Sequence, residues 1–196
     1  ADLLAFVDQA APAPLFYVAR DAGRARALEA LLRALAPQLA IASLPAWDCP
    51  PYDRASPSRA VMGQRMATLR WLTDRTFRPA LVVTTPDALL RRVPPPQIWP
   101  KAHLAFRVGE TVKPEAVEVA LRKIGYVLDD RVDEPGEAVL RGRVIEIFPA
   151  AAAFPCRIEY EEGRITAIHS YDPATQRSIV ETDCLDVDPA SEIVLS

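Results

Sequence analysis

The chain has 196 residues, half of them apolar, and a formal charge of −3. That supports a sizeable core, in one large domain or two small ones, and is too little positive charge for a dedicated nucleic-acid surface. Residues 1–100 carry 12 Arg/Lys against 8 Asp/Glu and residues 101–196 carry 11 against 18, so the second half repels a phosphate backbone and favours a protein partner.

In chain order, Asp2 to Gln9 reads as the end of a helix. Pro14 to Ala19 is a short apolar run of the kind that forms a buried parallel strand. Leu28, Leu31, Leu32 and Leu35 give the apolar stripe of a helix over 22–36. Leu39 to Leu44 is a second strand, and Ser58 to Leu72 a helix with Met62, Met66 and Leu69 on one face. Ala80-Leu-Val-Val-Thr-Thr85 is the strongest strand signal, and Pro86-Asp87 opens a short helix. This alternation predicts an α/β domain over 1–100, a parallel sheet with flanking helices. Pro94-Pro-Pro96 and Pro100 punctuate the chain there.

Residues 101–196 read as a small α+β domain with an antiparallel sheet. Pro114 opens a helix with Val117, Ala120, Leu121 and Ile124 on one face, and Gly125 stands where a C-terminal cap belongs. Strand patterns follow over 137–141, 143–148, 156–161 and 164–170, with Glu161-Glu-Gly163 as a tight hairpin connection. Gly142 reads as a bulge or a close backbone approach.

Chemistry is hard to find. The seven glycines form neither G-x-x-x-x-G-K-[ST] nor G-x-G-x-x-G, so no nucleotide cofactor is expected. Cys49, Cys156 and Cys184 lack metal or disulfide spacing, and reduced thiols suit a cytoplasmic protein. His103 and His169 are too few for a three-histidine zinc site and read as ordinary surface residues. No apolar run reaches membrane-spanning length, and no signal-peptide pattern opens the chain. No catalytic residue, metal ligand or small-molecule substrate is expected. Trp47-Asp-Cys-Pro-Pro-Tyr-Asp53 reads either as a rigid loop whose aromatics cap the sheet or as an aromatic platform for a partner. Trp71 and Trp99 read as packing residues.

Arg141 and Arg143 flank Gly142, so in an extended chain they share one sheet face, and Arg131 lies close if the turn around Gly136 folds back. Such a cluster is either a docking hot spot or a set of solvated strand arginines.

Leu44-Pro-Ala-Trp-Asp-Cys-Pro-Pro-Tyr-Asp-Arg-Ala-Ser-Pro57, Arg65-Met-Ala-Thr-Leu69 and Val82-Val-Thr-Thr-Pro-Asp-Ala-Leu-Leu-Arg-Arg-Val93 resemble the amino-terminal region of the bacterial transcription-repair coupling factors. Gly109, Gly125-Tyr126, Gly136, Arg141-Gly142, Ile147-Phe-Pro149, Arg157-Ile-Glu-Tyr160, Ile165 and Gln176-Arg177 resemble the second domain that this family shares with the excision-repair protein UvrB. The resemblance implies a degenerate helicase-like first domain without its nucleotide site, and a second domain that binds UvrA, the damage-recognition ATPase. It implies an adaptor without catalysis, whose full-length relatives also engage RNA polymerase and translocate on DNA. The alternative is a fragment of a UvrB-like DNA-dependent ATPase that contacts DNA directly. By the resemblance, Arg141 matches one of the basic UvrA-binding positions. Val139 and Leu128 stand where UvrB has two further arginines, and Arg131 and Arg143 are expected to compensate.

Overall fold

The computed structural model describes residues 2–10, 12–50, 54–74, 79–98 and 102–193. Pro51 to Asp53 of the Trp47 loop, Trp99 and Pro100 lie outside the described residues. The chain divides into two compact units, residues 1–96 and 97–196.

In the first unit, α1 (Asp2–Ala10), β1 (Leu15–Val18), α2 (Ala22–Leu35), β2 (Ile41–Leu44), α3 (Arg59–Thr73), β3 (Leu81–Thr84) and α4 (Pro86–Leu89) follow one another. The three strands pair in parallel in the order β1-β3-β2. β3 is central because its run is apolar on both faces, and all four of its residues are buried. Leu81 and Val83 pack with Val7, Ala25 and Leu32 from α1 and α2. Val82 turns the other way to Ala42 and Leu44, against Leu69, Trp71 and Leu72 of α3. Trp71 is thus a packing residue. Arg65 of α3 is wholly buried, and its Nη1 donates to the Pro45 carbonyl at 2.7 Å.

The second unit holds β4 (Leu104–Arg107), α5 (Pro114–Lys123), β5 (Val127–Leu128), β6 (Glu137–Arg141), β7 (Val144–Ile147), β8 (Cys156–Glu161), β9 (Arg164–Tyr171), β10 (Ser178–Glu181) and β11 (Cys184–Val187). Six strands form a sheet in the order β10-β9-β8-β7-β6-β5, and β4 pairs with β11. The larger sheet is mixed rather than antiparallel throughout, because β5 runs parallel to β6. β4, β5, β10 and β11 extend the strand set expected from sequence.

One sheet face forms the core. Ile145, Ile147, Ile158 and Ile168 are fully buried with Leu121 of α5 and Ile124 at its C-terminal cap. The helix closes on Gly125 at φ +91°, with Tyr126 N–H donating to Leu121 O at 3.0 Å and Gly125 N–H to Arg122 O at 3.2 Å. These two bonds form a Schellman cap, as the Gly125 position leads one to expect. A Cβ there would sit 2.7 Å from Ser191 Cβ, so the position excludes a side chain twice over. Buried Tyr126 donates to Asp188 O and accepts from Ala150 N, both at 3.0 Å, and burial raises its phenol well above the usual range.

Gly142 is neither a bulge nor a strand residue. Arg141 pairs with Val144, so Gly142 and Arg143 form a two-residue hairpin loop with Gly142 at φ +55°. Positive φ at the first loop residue alone is the pattern that favours glycine there. The neighbouring hairpin turns on Glu162 and Gly163, at φ +49° and +74°.

Candidate docking surface

The outward face of the six-stranded sheet follows from register. Val139, Glu146, Arg157 and His169 are successive cross-strand partners, opposite in pleat to the isoleucine core. The segment between β5 and β6 folds over part of this face. Glu137 Oε2 accepts from Asp133 and Glu134 N–H at 3.0 and 2.9 Å, and Gly136 N–H donates to Phe148 O at 2.8 Å. Val132 seals against Val139 and Phe148 in a small second core.

Arg141 ends β6, with its side chain 64% exposed. Its Nη2 donates to the Asp130 carbonyl and lies 3.6 Å from the Asp130 carboxylate. Arg131 places Nε 3.6 Å from Asp133, and Arg143 donates from Nη1 to Glu161 at 2.9 Å. Ion pairs this exposed contribute about 0–1 kcal/mol, so each guanidinium can change partner at little cost.

The hairpin overturns the same-face argument for Arg141 and Arg143. Arg143 belongs to the loop, so strand alternation does not place it beside Arg141. It reaches the end of β8 instead. Arg131 and Arg141, by contrast, line one cleft of about 250 Å³. A second depression, of about 420 Å³, brings Arg141 together with Leu128 and Val139. The three positions of the UvrB comparison are therefore neighbours. Val139 serves the Val132–Phe148 packing and Leu128 packs against the main core, so both positions are committed to apolar contacts.

Sequence reasoning named Arg157 and Gln176 only as motif residues and did not place them at the centre of this face. Arg157 bridges Glu146 at 2.6 Å, donates to Gln176 Oε1 at 3.0 Å, and stacks 4.7 Å above the ring of Tyr171. Tyr171 is completely buried, its hydroxyl has no hydrogen-bond partner, and burial raises its pKa to about 12. These residues come from three strands and a turn, and no local spacing links them.

The first unit offers less. Asp21 caps α2, accepting from Arg24 N–H at 2.8 Å, so a carboxylate occupies the N-terminus of the helix after β1. Half-buried Trp47 lies under Arg91 at 4.1 Å and lines an open cleft with Leu90. Among the described residues, no group of three or more His, Cys, Asp or Glu could hold a metal. No helix of the described residues is long and apolar enough to cross a membrane. His103 faces Asp186 at 3.1 Å and His169 faces Glu159 at 4.0 Å.

Residues 104–193 match the family described as UvrB interaction domain. Curated proteins named transcription-repair-coupling factor match most of the chain. The one from Bacillus subtilis is 27% identical over 93% of this chain and 15% of its own length. That of Mycobacterium bovis is 34% identical over 87% of this chain and 14% of its own. That of Myxococcus xanthus is 31% identical over 99% of this chain and 17% of its own. The chain spans about a sixth of the length of such relatives.

Proposed function

The chain belongs to the transcription-repair-coupling-factor family, and on that premise we propose that its second unit is an adaptor that recruits UvrA for transcription-coupled nucleotide excision repair. The observation that carries this is a coincidence of extent. The stretch that matches the UvrB interaction domain, 104–193, falls within a unit with its own core. Its outward face presents Arg131 and Arg141, and the nearby hairpin tip Arg143, on exposed, easily exchanged ion pairs. Guanidinium groups held this way suit a partner surface that offers carboxylates or main-chain carbonyls.

In this reading the first unit is a degenerate helicase-like α/β domain. Its short parallel sheet fits the description. The chain performs no catalysis. Engagement of RNA polymerase and translocation on DNA belong to the full-length protein, which acts in the cytoplasm.

The test is calorimetric titration of the purified chain with UvrA, with Arg141→Glu as the comparison. We expect a one-to-one complex that the reversal weakens by about 30-fold without lowering the melting temperature. A wild-type chain that gives no binding signal at high protein concentration overturns the reading.

A further inference from the structure

The small cleft that Arg131 and Arg141 share contains more than two arginines. Tyr171 lines it, entirely buried, with its hydroxyl unpartnered. The carboxylates that line the cleft each face an arginine. Glu146 is held by Arg157 at 2.6 Å, Asp133 lies 3.6 Å from Arg131, and Asp130 lies 3.6 Å from Arg141. What the cleft leaves unpaired is the Tyr171 donor. Burial keeps the Tyr171 phenol protonated, with its pKa at about 12, so it remains a donor across the physiological range. A space of about 250 Å³ accommodates one side chain of modest length.

We propose that this cleft receives one Asp or Glu side chain of the docked partner, whose carboxylate accepts from the Tyr171 hydroxyl and is clamped by Arg131 and Arg141. Asp133 and Asp130 are the stand-ins that the incoming carboxylate displaces. Their ion pairs are exposed, Asp130 almost completely, and the exchange trades a solvated contact for a sheltered one. Arg157 keeps the floor in place by stacking on the Tyr171 ring and tying Gln176 to the sheet. The inference rests on the docking reading above and makes Tyr171 the residue that selects an acceptor-bearing side chain at this one point.

Tyr171→Phe separates this role from a structural one, because it removes a hydroxyl that holds nothing in the free chain. Titration with UvrA should show about tenfold weaker binding for Tyr171→Phe, with a melting temperature at or above that of the parent. Asp130→Asn, which removes a competitor at an exposed site, should bind about threefold more tightly. Wild-type affinity in Tyr171→Phe beside a weakened Arg141→Glu overturns the pocket and leaves the docking reading standing. Should Tyr171→Phe lower the melting temperature instead, Asp130→Asn decides alone, and unchanged or weaker binding there overturns the proposal. No binding by any of these chains, the parent included, overturns the docking reading and the pocket with it.

Discussion

Arg65 of the first unit and Arg131, Arg141 and Arg143 of the second are held in opposite ways. Arg65 of the first is wholly buried and spans to the Pro45 carbonyl, fixing the end of β2 against α3. Arg131, Arg141 and Arg143 of the second keep 64–76% of their side chains in solvent and lean on acids that are themselves exposed. A buried guanidinium is bound to one geometry, because losing its partner leaves an uncompensated charge. An exposed one is free to trade partners. Arg65 is therefore committed to its one setting, while Arg131, Arg141 and Arg143 can exchange theirs.

The largest way to break that contrast is Arg65→Ala. It opens a cavity and strands the Pro45 carbonyl, and should cost about 3 kcal/mol of stability, read by urea unfolding. UvrA binding should persist under native conditions. Loss of UvrA binding with stability intact would erase the distinction between the units.

A smaller test is Arg143→Ala. Its contact with Glu161 is exposed and it lies outside the Arg131–Arg141 cleft. Stability should move by less than about 0.5 kcal/mol and UvrA affinity by about threefold at most. A loss as large as that of Arg141→Glu would mean that the hairpin tip, not the cleft, carries docking.

The smallest effect is a pH response in the first unit. Asp48 accepts from Ser58 N–H at 2.9 Å, and its carboxyl is held below the ordinary value of 3.8, chiefly by hydrogen bonding to the Ser58 side chain, with burial opposing. The contribution is complete above that value and fades as pH falls through the lowered one. Exchange protection of the Ser58 amide should drop over that acid range, while amides of β6 and β7 keep theirs.

Much of the architecture was legible because it is local. The Leu81–Thr84 run, the 3.6-residue stripes and the Gly125 cap each declare themselves within a few residues. β10 did not, since all four of its residues are exposed and it shows no inward side. β4 and β11 are short and find each other only across the domain, Leu104 opposite Val187. Arg141-Gly-Arg143 lacks the Asn-Gly or Asp-Gly signal of a tight turn, so extended geometry was the natural reading and gave Arg143 the wrong neighbour. Arg141 could be singled out by motif. The Glu146–Arg157–Tyr171–Gln176 cluster could not, because only strand register assembles it.

One quiet feature bears on how such a domain survives crowded conditions. β10 is the outermost strand of its sheet, with Ile179 and Val180 in the open. Bare edges of this kind invite a strand from another molecule and so seed aggregates. The pairing of β10 with β9 slips between Ser178 and Val180, and an irregular strand offers no even row of hydrogen-bonding groups to copy. A bulge of one residue serves as a safety catch against unwanted polymerisation.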